Sequence, residues 1–216
     1  MSRHDESGER FLTLENRHTG EILRMRRVRG GDDHSVLILE GSLPPGTSGP
    51  PLHVHVDSRE TMIVKAGSLG VRVGPQTVEL SAGMTAAVPA GIRHTWWNAG
   101  DHLLEVSGRT VPAGDLDRFI QGIFAVVNAS SSGRPSIFYL AHVLWRHRHT
   151  QTVALPPRAI QRVLFPLVLL LGTVLGKYRG TVWPGSPASC TGAPEAVTRA
   201  GHLDGEPSER RMSLAT

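Results

Sequence analysis

Turn-forming residues cut the first half of the chain into short apolar stretches, and this spacing limits the fold more than any other feature. The stretches are Phe11–Leu14, Glu21–Val28, Ser35–Leu39, Met62–Val64, Leu69–Val73, Thr77–Leu80, Thr85–Val88, His94–Trp97 and His102–Val106. Most recur at intervals of roughly 8–12 residues, the pattern of a sandwich or barrel of short strands. Between them lie the turn Asn16–Gly20, the run Asn98–Asp101 and the stiff loop Pro44–Pro51, where proline fixes φ and glycine permits sharp reversals. With 24 glycines and 15 prolines in 216 residues, the composition is that of a turn-rich, mainly β protein.

After about Arg109 the apolar period changes. Leu116, Phe119, Ile120, Ile123, Phe124 and Val127 fall on one helical face, and Ile137, Leu140, Ala141, Leu144 and Trp145 repeat the spacing. A third helix is expected after Pro156 and Pro157, through the apolar run ending near Lys177. The expected organisation is a loose N-terminus over 1–10, a barrel over 11–112 and a helical extension over 113–183 packing on it. A tail over 184–216, rich in Gly, Pro, Ser, Thr and charge, is expected to be disordered.

Residues 163–176 carry no charge. At ~1.5 Å per residue they reach only ~21 Å, short of the ~30 Å of a bilayer's hydrocarbon. Pro166 and Gly172 interrupt the run, so it reads as a buried helix on the barrel or on a partner subunit. The flanking Arg162, Lys177 and Arg179 leave a second reading, peripheral membrane contact through 159–179.

Net charge is +4, from 23 basic and 19 acidic residues. The densest basic run, Arg24 to Gly30, is short and lacks interleaved aromatics that could stack on bases, so no nucleic-acid partner is expected. The single cysteine, Cys190, permits no intramolecular disulfide, and MSRHDESGER lacks the apolar core of a secretory signal. A cytoplasmic location is the expectation.

Two stretches carry chemistry. The first, HVHVDSRETMIVKAG, holds His53, His55, Glu60 and Gly67; the second, GMTAAVPAGIRHTWWN, holds Gly83, Pro89, Gly91, His94 and Asn98. On a strand His53 and His55 project from one face, about 7 Å apart. Glu60 would face the other way on an unbroken strand, so the chain must bend, and Asp57-Ser58 suits a turn or bulge. Past the bend Glu60, Met62 and Val64 face inward together. His94 and Trp96 share a face, and Trp97 takes the other.

Three imidazoles and one carboxylate suit one divalent first-row ion: Fe, Mn, Ni, Co or Zn. Four protein ligands would close a tetrahedral zinc site, whereas an octahedral ion would keep two positions for water, O₂ or a chelating substrate.

Both stretches resemble the two motifs of the cupin superfamily at His53, His55, Glu60 and Gly67, and at Gly83, Pro89, Gly91, His94 and Asn98. Six residues before His53, where the family motif opens with Gly, this chain has Thr47, flanked by Gly46 and Gly49. The resemblance covers about residues 11–110. It implies a double-stranded β-helix (jelly-roll) barrel with a metal at its centre, an α-helical extension after it, and a homodimer. Similar cupins carry out dioxygenation, sugar isomerisation and polyketide cyclisation.

Other residues have plainer readings. Gly67, Gly83, Pro89, Gly91 and Asn98 are turn formers. Trp96 and Met62 are candidates for the wall of a substrate pocket, with core packing as the alternative. Arg72 and Arg93 are candidates to meet an anionic substrate, but as lone arginines they are expected to face solvent. His147 and His149 form a second HxH pair at a helix end, where residues two apart do not share a face; a solvated basic terminus is expected there.

Three functions compete: a metal-dependent enzyme of oxygenase or isomerase type on a small organic substrate, a non-catalytic module that binds or senses a small ligand, and a scaffold. In the first, Glu60 is the candidate catalytic residue, a displaceable ligand serving as general base.

Overall fold

Buried and exposed side chains alternate along nearly every strand, and that period-2 pattern builds two facing antiparallel sheets. The structure is a computed structural model that describes residues 11–31 and 34–179. The expected loose N-terminus at 1–10 and disordered tail at 184–216 lie outside the described residues.

The larger sheet has the order β1-β2-β3-β10-β5-β8, from β1 (Leu12–Glu15), β2 (Ile22–Arg29), β3 (Ser35–Leu43), β5 (Arg59–Ala66), β8 (Thr85–Val88) and β10 (Leu104–Val111). The smaller has the order β11-β4-β9-β6-β7, from β4 (His53–His55), β6 (Ser68–Val73), β7 (Gln76–Ser81), β9 (His94–Asn98) and β11 (Gln151–Val153). The chain is mainly β, a double-stranded β-helix barrel followed by α1 (Leu116–Asn128), α2 (Ile137–Arg146) and α3 (Arg158–Val174). The barrel takes β11 from well beyond residue 112, where the sequence pattern had ended it.

One core lies between the sheets and includes Leu43, Met62, Val64, Leu69, Val71 and Leu104. The smaller sheet does not cover β2 and the start of β3. There α1 lies against the larger sheet, packing Leu116, Phe119, Ile120 and Phe124 on Leu23, Met25, Leu37 and Leu39. Arg27 fastens the start of α1, donating from Nη2 to Asp117 at 2.6 Å and to the Gly114 carbonyl at 2.8 Å. Arg24 of the same basic run pairs with Glu40 at 3.1 Å and stacks over Phe11, so these arginines tie strands and helix together.

Two expectations change. His147 is not at a solvated terminus: it is buried, edge-on to Phe119, with Nδ1 2.5 Å from Asp115. The carboxylate that completes this pair comes from the loop before α1, which sequence distance had hidden; His149 is exposed.

Helix α3 buries only its Gln161, Phe165 and Gly172 side, packing on α2, while Gln161 donates to the carbonyls of Val153 and Pro156. Its other face leaves Val163, Leu167, Leu170 and Val174 exposed, so within one chain it is not the buried helix expected. No described helix is long and apolar enough to cross a membrane.

Candidate metal centre

Cross-strand pairing brings the two sequence motifs together. His53 on β4 lies directly opposite His94 on β9, with ring centroids 4.1 Å apart. His55, two residues along β4, has its ring 4.9 Å from that of His53 and 5.0 Å from that of His94. The chain then crosses from the smaller to the larger sheet at residues 56–58, where Ser58 Oγ donates to the Pro112 carbonyl at 2.7 Å. This is the bend the spacing demands, and it turns Glu60 inward from β5. One ligand atom from each of His53, His55, Glu60 and His94 lies within 4.8 Å of the others, a group able to hold a metal ion.

Second hydrogen bonds orient the rings. Nδ1 of His53 donates to the Pro51 carbonyl at 2.9 Å, and Nδ1 of His94 to the Ile92 carbonyl at 3.0 Å. Nδ1 of His55 bonds to Oε1 of Gln151. A carbonyl oxygen only accepts, so each Nδ1 carries a proton; a ring that is protonated on Nε2 as well donates to Glu60, and on losing that proton it presents its Nε2 lone pair to a cation. Nε2 of His94 and of His55 lie 2.9 and 3.4 Å from one oxygen of Glu60.

Burial alone would raise the Glu60 pKa, but hydrogen bonds from His55 and His94, with their charges, hold the carboxyl well below the usual range. Burial, with His94 and His55 beside it, pushes the His53 imidazole down. Burial also acts to lower His55, but the bond and charge of Glu60 outweigh it and raise the group. A buried carboxylate ringed by imidazoles whose Nε2 atoms converge on it is the donor set a divalent cation requires. The residues present fit a metal.

Gln151 could not have been found in the sequence. It is 2% exposed, pairs with His55 across β4 and β11, and comes from a three-residue strand with no long alternation to mark it. Partners of this kind typically change metal affinity by about 10–100-fold. Gln151→Ala is therefore expected to weaken metal binding by about that factor, measured by competition with a chelating indicator. An unchanged affinity would show that His55 is oriented without it.

The site opens into a cavity of about 380 Å³, within the range of small-molecule pockets. Met62 and Trp96 both border it, and both also pack on the inter-sheet core. Trp97, on the other face of β9, covers Gly70, where an added Cβ would collide with the indole. Arg72 and Arg93 are exposed. Gly67, Gly83 and Gly91 have positive φ, and Asn98 Nδ2 donates to the carbonyls of Leu43 and His102, so these residues shape turns.

A β-helix barrel with three histidines and a glutamate at one end of its interior defines a class, and residues 39–107 match the family model described as Cupin domain. Residues 39–107 of the chain thus form a cupin domain. Among solved structures, it is similar to a protein from Thermus thermophilus, at 28% identity over 41% of this chain and 83% of that one, with a TM-score of 0.35. It is also similar to an RmlC-like cupin from Shewanella frigidimarina, at 21% identity over 52% and 93% of the two chains, with a TM-score of 0.41. A third likeness is to a sugar phosphate isomerase of the cupin superfamily from Silicibacter pomeroyi, at 22% identity over 44% and 61%, with a TM-score of 0.36. None of the curated proteins matches the chain.

Proposed function

We propose that the barrel holds one divalent transition-metal ion on His53, His55, Glu60 and His94 and uses it on a small organic molecule admitted by the cavity. The observation that carries this reading is the convergence of three imidazoles and one buried carboxylate at the cavity's end. When bound, the ion supplies Lewis acidity or a seat for O₂, which suits oxygenation or isomerisation. The chain's own residues do the rest. Pro51, Ile92 and Gln151 fix the ring tautomers. Met62 and Trp96 shape the approach, and Glu60 takes up or returns a proton at its carboxylate oxygen.

A second reading, ligand binding without turnover, draws support from the cavity wall. At the metal end, the described lining offers only Glu60 as a carboxyl acid–base, and the remaining wall is largely apolar.

Elemental analysis of the purified protein is expected to find close to one transition-metal ion per chain. Protein that stays metal-free after incubation with Fe(II), Mn(II) or Zn(II) would refute the metal-dependent reading. O₂ uptake by Fe(II)- and Mn(II)-loaded protein against catechols, flavonols and 2-oxo acids then separates the two readings, because silence across the panel moves the function to binding.

A further inference from the structure

The cavity does not end at the metal ligands. It continues between the inner face of the larger sheet and the helices, past Leu23, Leu39, Val106, Phe119, Ile123 and Leu140. Two inward positions on adjacent strands, Gly41 on β3 and Gly108 on β10, have no side chain, and both border the cavity. Glycine inside a strand weakens it unless something must approach the backbone closely. Neither has a positive φ to explain it, but at Gly41 a Cβ would crowd Val106 Cγ2 at 3.0 Å, so close packing accounts for that glycine and Gly108 is the one without such a reason. At Gly108 a Cβ would meet Leu39 Cβ at an ordinary 3.5 Å, so space for a side chain exists and is left open.

The polar lining is concentrated in two places. One is the metal centre, the other is Asn16 with Glu21, and Ser48, opposite Trp97 on β9, adds a single hydroxyl residue apart from them. Glu21 immediately precedes β2 and, by alternation with Leu23 and Met25, faces inward. Along β3, Glu60 is level with Leu37 through Thr110, whereas Ile22 is level with Ser42. Glu21, one residue before Ile22, is thus six residues along from Glu60, and at ~3.3 Å per residue the two positions lie roughly 20 Å apart along the strands. No lysine or arginine appears among the described lining residues, so nothing there would pair with a phosphate.

We propose that the ligand is an elongated, mainly apolar molecule of acyl-chain shape. Its oxygen-bearing head lies at His53, His55, Glu60 and His94, its body over Gly41 and Gly108 beneath α1, and its far end beside Asn16 and Glu21. The metal-end placement rests on the function proposed above; the apolar body does not. Burial raises the Glu21 carboxyl to about 7, so near neutral pH a large share of it can donate a hydrogen bond to a hydroxyl or carbonyl at that end.

The test uses the metal-loaded, full-length protein and calorimetric titration with 2-oxobutanoate, 2-oxohexanoate, 2-oxooctanoate and 2-oxodecanoate. Affinity is expected to rise by about two- to fourfold per added methylene as the chain is buried. Gly108→Leu should abolish that dependence and Gly108→Ala reduce it, with metal content as in the wild type; circular dichroism checks that each variant folds. Glucose 6-phosphate should bind no more tightly than 2-oxobutanoate.

An affinity independent of chain length in metal-loaded protein would overturn the proposal, as would a folded Gly108→Leu that binds 2-oxodecanoate like the wild type. The neutral dye N-phenyl-1-naphthylamine tests the apolar body apart from the metal. It should bind metal-free and metal-loaded protein alike and be lost in Gly108→Leu. If the protein takes up no metal yet binds the dye, the metal reading alone fails, whereas metal-loaded protein that ignores the dye would sink this one alone.

Discussion

His94→Ala is expected to weaken metal binding by more than about 100-fold, since even residues that merely orient a ligand typically change affinity by about 10–100-fold. His94 is fully buried, with Nδ1 on the Ile92 carbonyl and Nε2 2.9 Å from Glu60. Its removal takes away one donor and leaves the Glu60 carboxylate short of a hydrogen-bond partner in the interior. Breaking a buried pair in this way costs about 3–5 kcal/mol, so stability should fall together with metal affinity. His53 separates the two effects. It is half-buried and opens to the cavity, so His53→Ala should lose metal with a smaller loss of fold. Equilibrium dialysis with Zn(II) and urea denaturation of both variants would decide. A folded His94→Ala that still holds near-stoichiometric metal would mean the four residues do not share an ion. For the wild type, metal that binds only the folded chain must raise its stability, so adding chelator should lower the urea midpoint.

Local period made much of this site legible. Residues two apart on a strand must share a face, so His53 and His55 could be paired from the text, and the odd spacing to Glu60 demanded a bend. The structure puts that bend at residues 56–58. The same reasoning located α1 and α2, because their apolar faces repeat at helical spacing over several turns. The residues that escaped depend on contacts between distant segments. Gln151 reaches His55 through a strand too short to show alternation, and Asp115 reaches His147 from the loop before another helix. The α3 stripe has helical spacing, yet period alone cannot tell a face that is covered from one left exposed. Glu21 was read only as the first residue of a strand. Its inward direction follows from alternation with Leu23 and Met25, whereas the helix that closes this side of the sheet arrives much later in the chain.

Glu21 also carries a pH-dependent cost that can be measured without knowing any ligand. Burial raises its carboxyl from 4.5 to about 7, and the hydrogen bond from the Asn16 side chain offsets this only in part. A carboxyl whose pKa is higher in the fold than in the unfolded chain binds its proton more tightly when folded. Stability linked to it is therefore full below about pH 4.5 and is lost as pH rises through about 7. Each pKa unit is worth about 1.4 kcal/mol, so the ionised group costs the fold roughly 3 kcal/mol at pH 8. Glu21→Gln keeps the shape and removes the charge. It should match the wild type near pH 4.5 and exceed it by roughly 2–3 kcal/mol at pH 8. Other groups that titrate in the same window are common to both proteins and cancel in the difference. Urea denaturation of the two proteins across pH 4.5–8 gives that difference directly. Parallel curves over the whole range would show that Glu21 stays hydrated and ionised, and the far end of the cavity would then be an open, water-filled mouth.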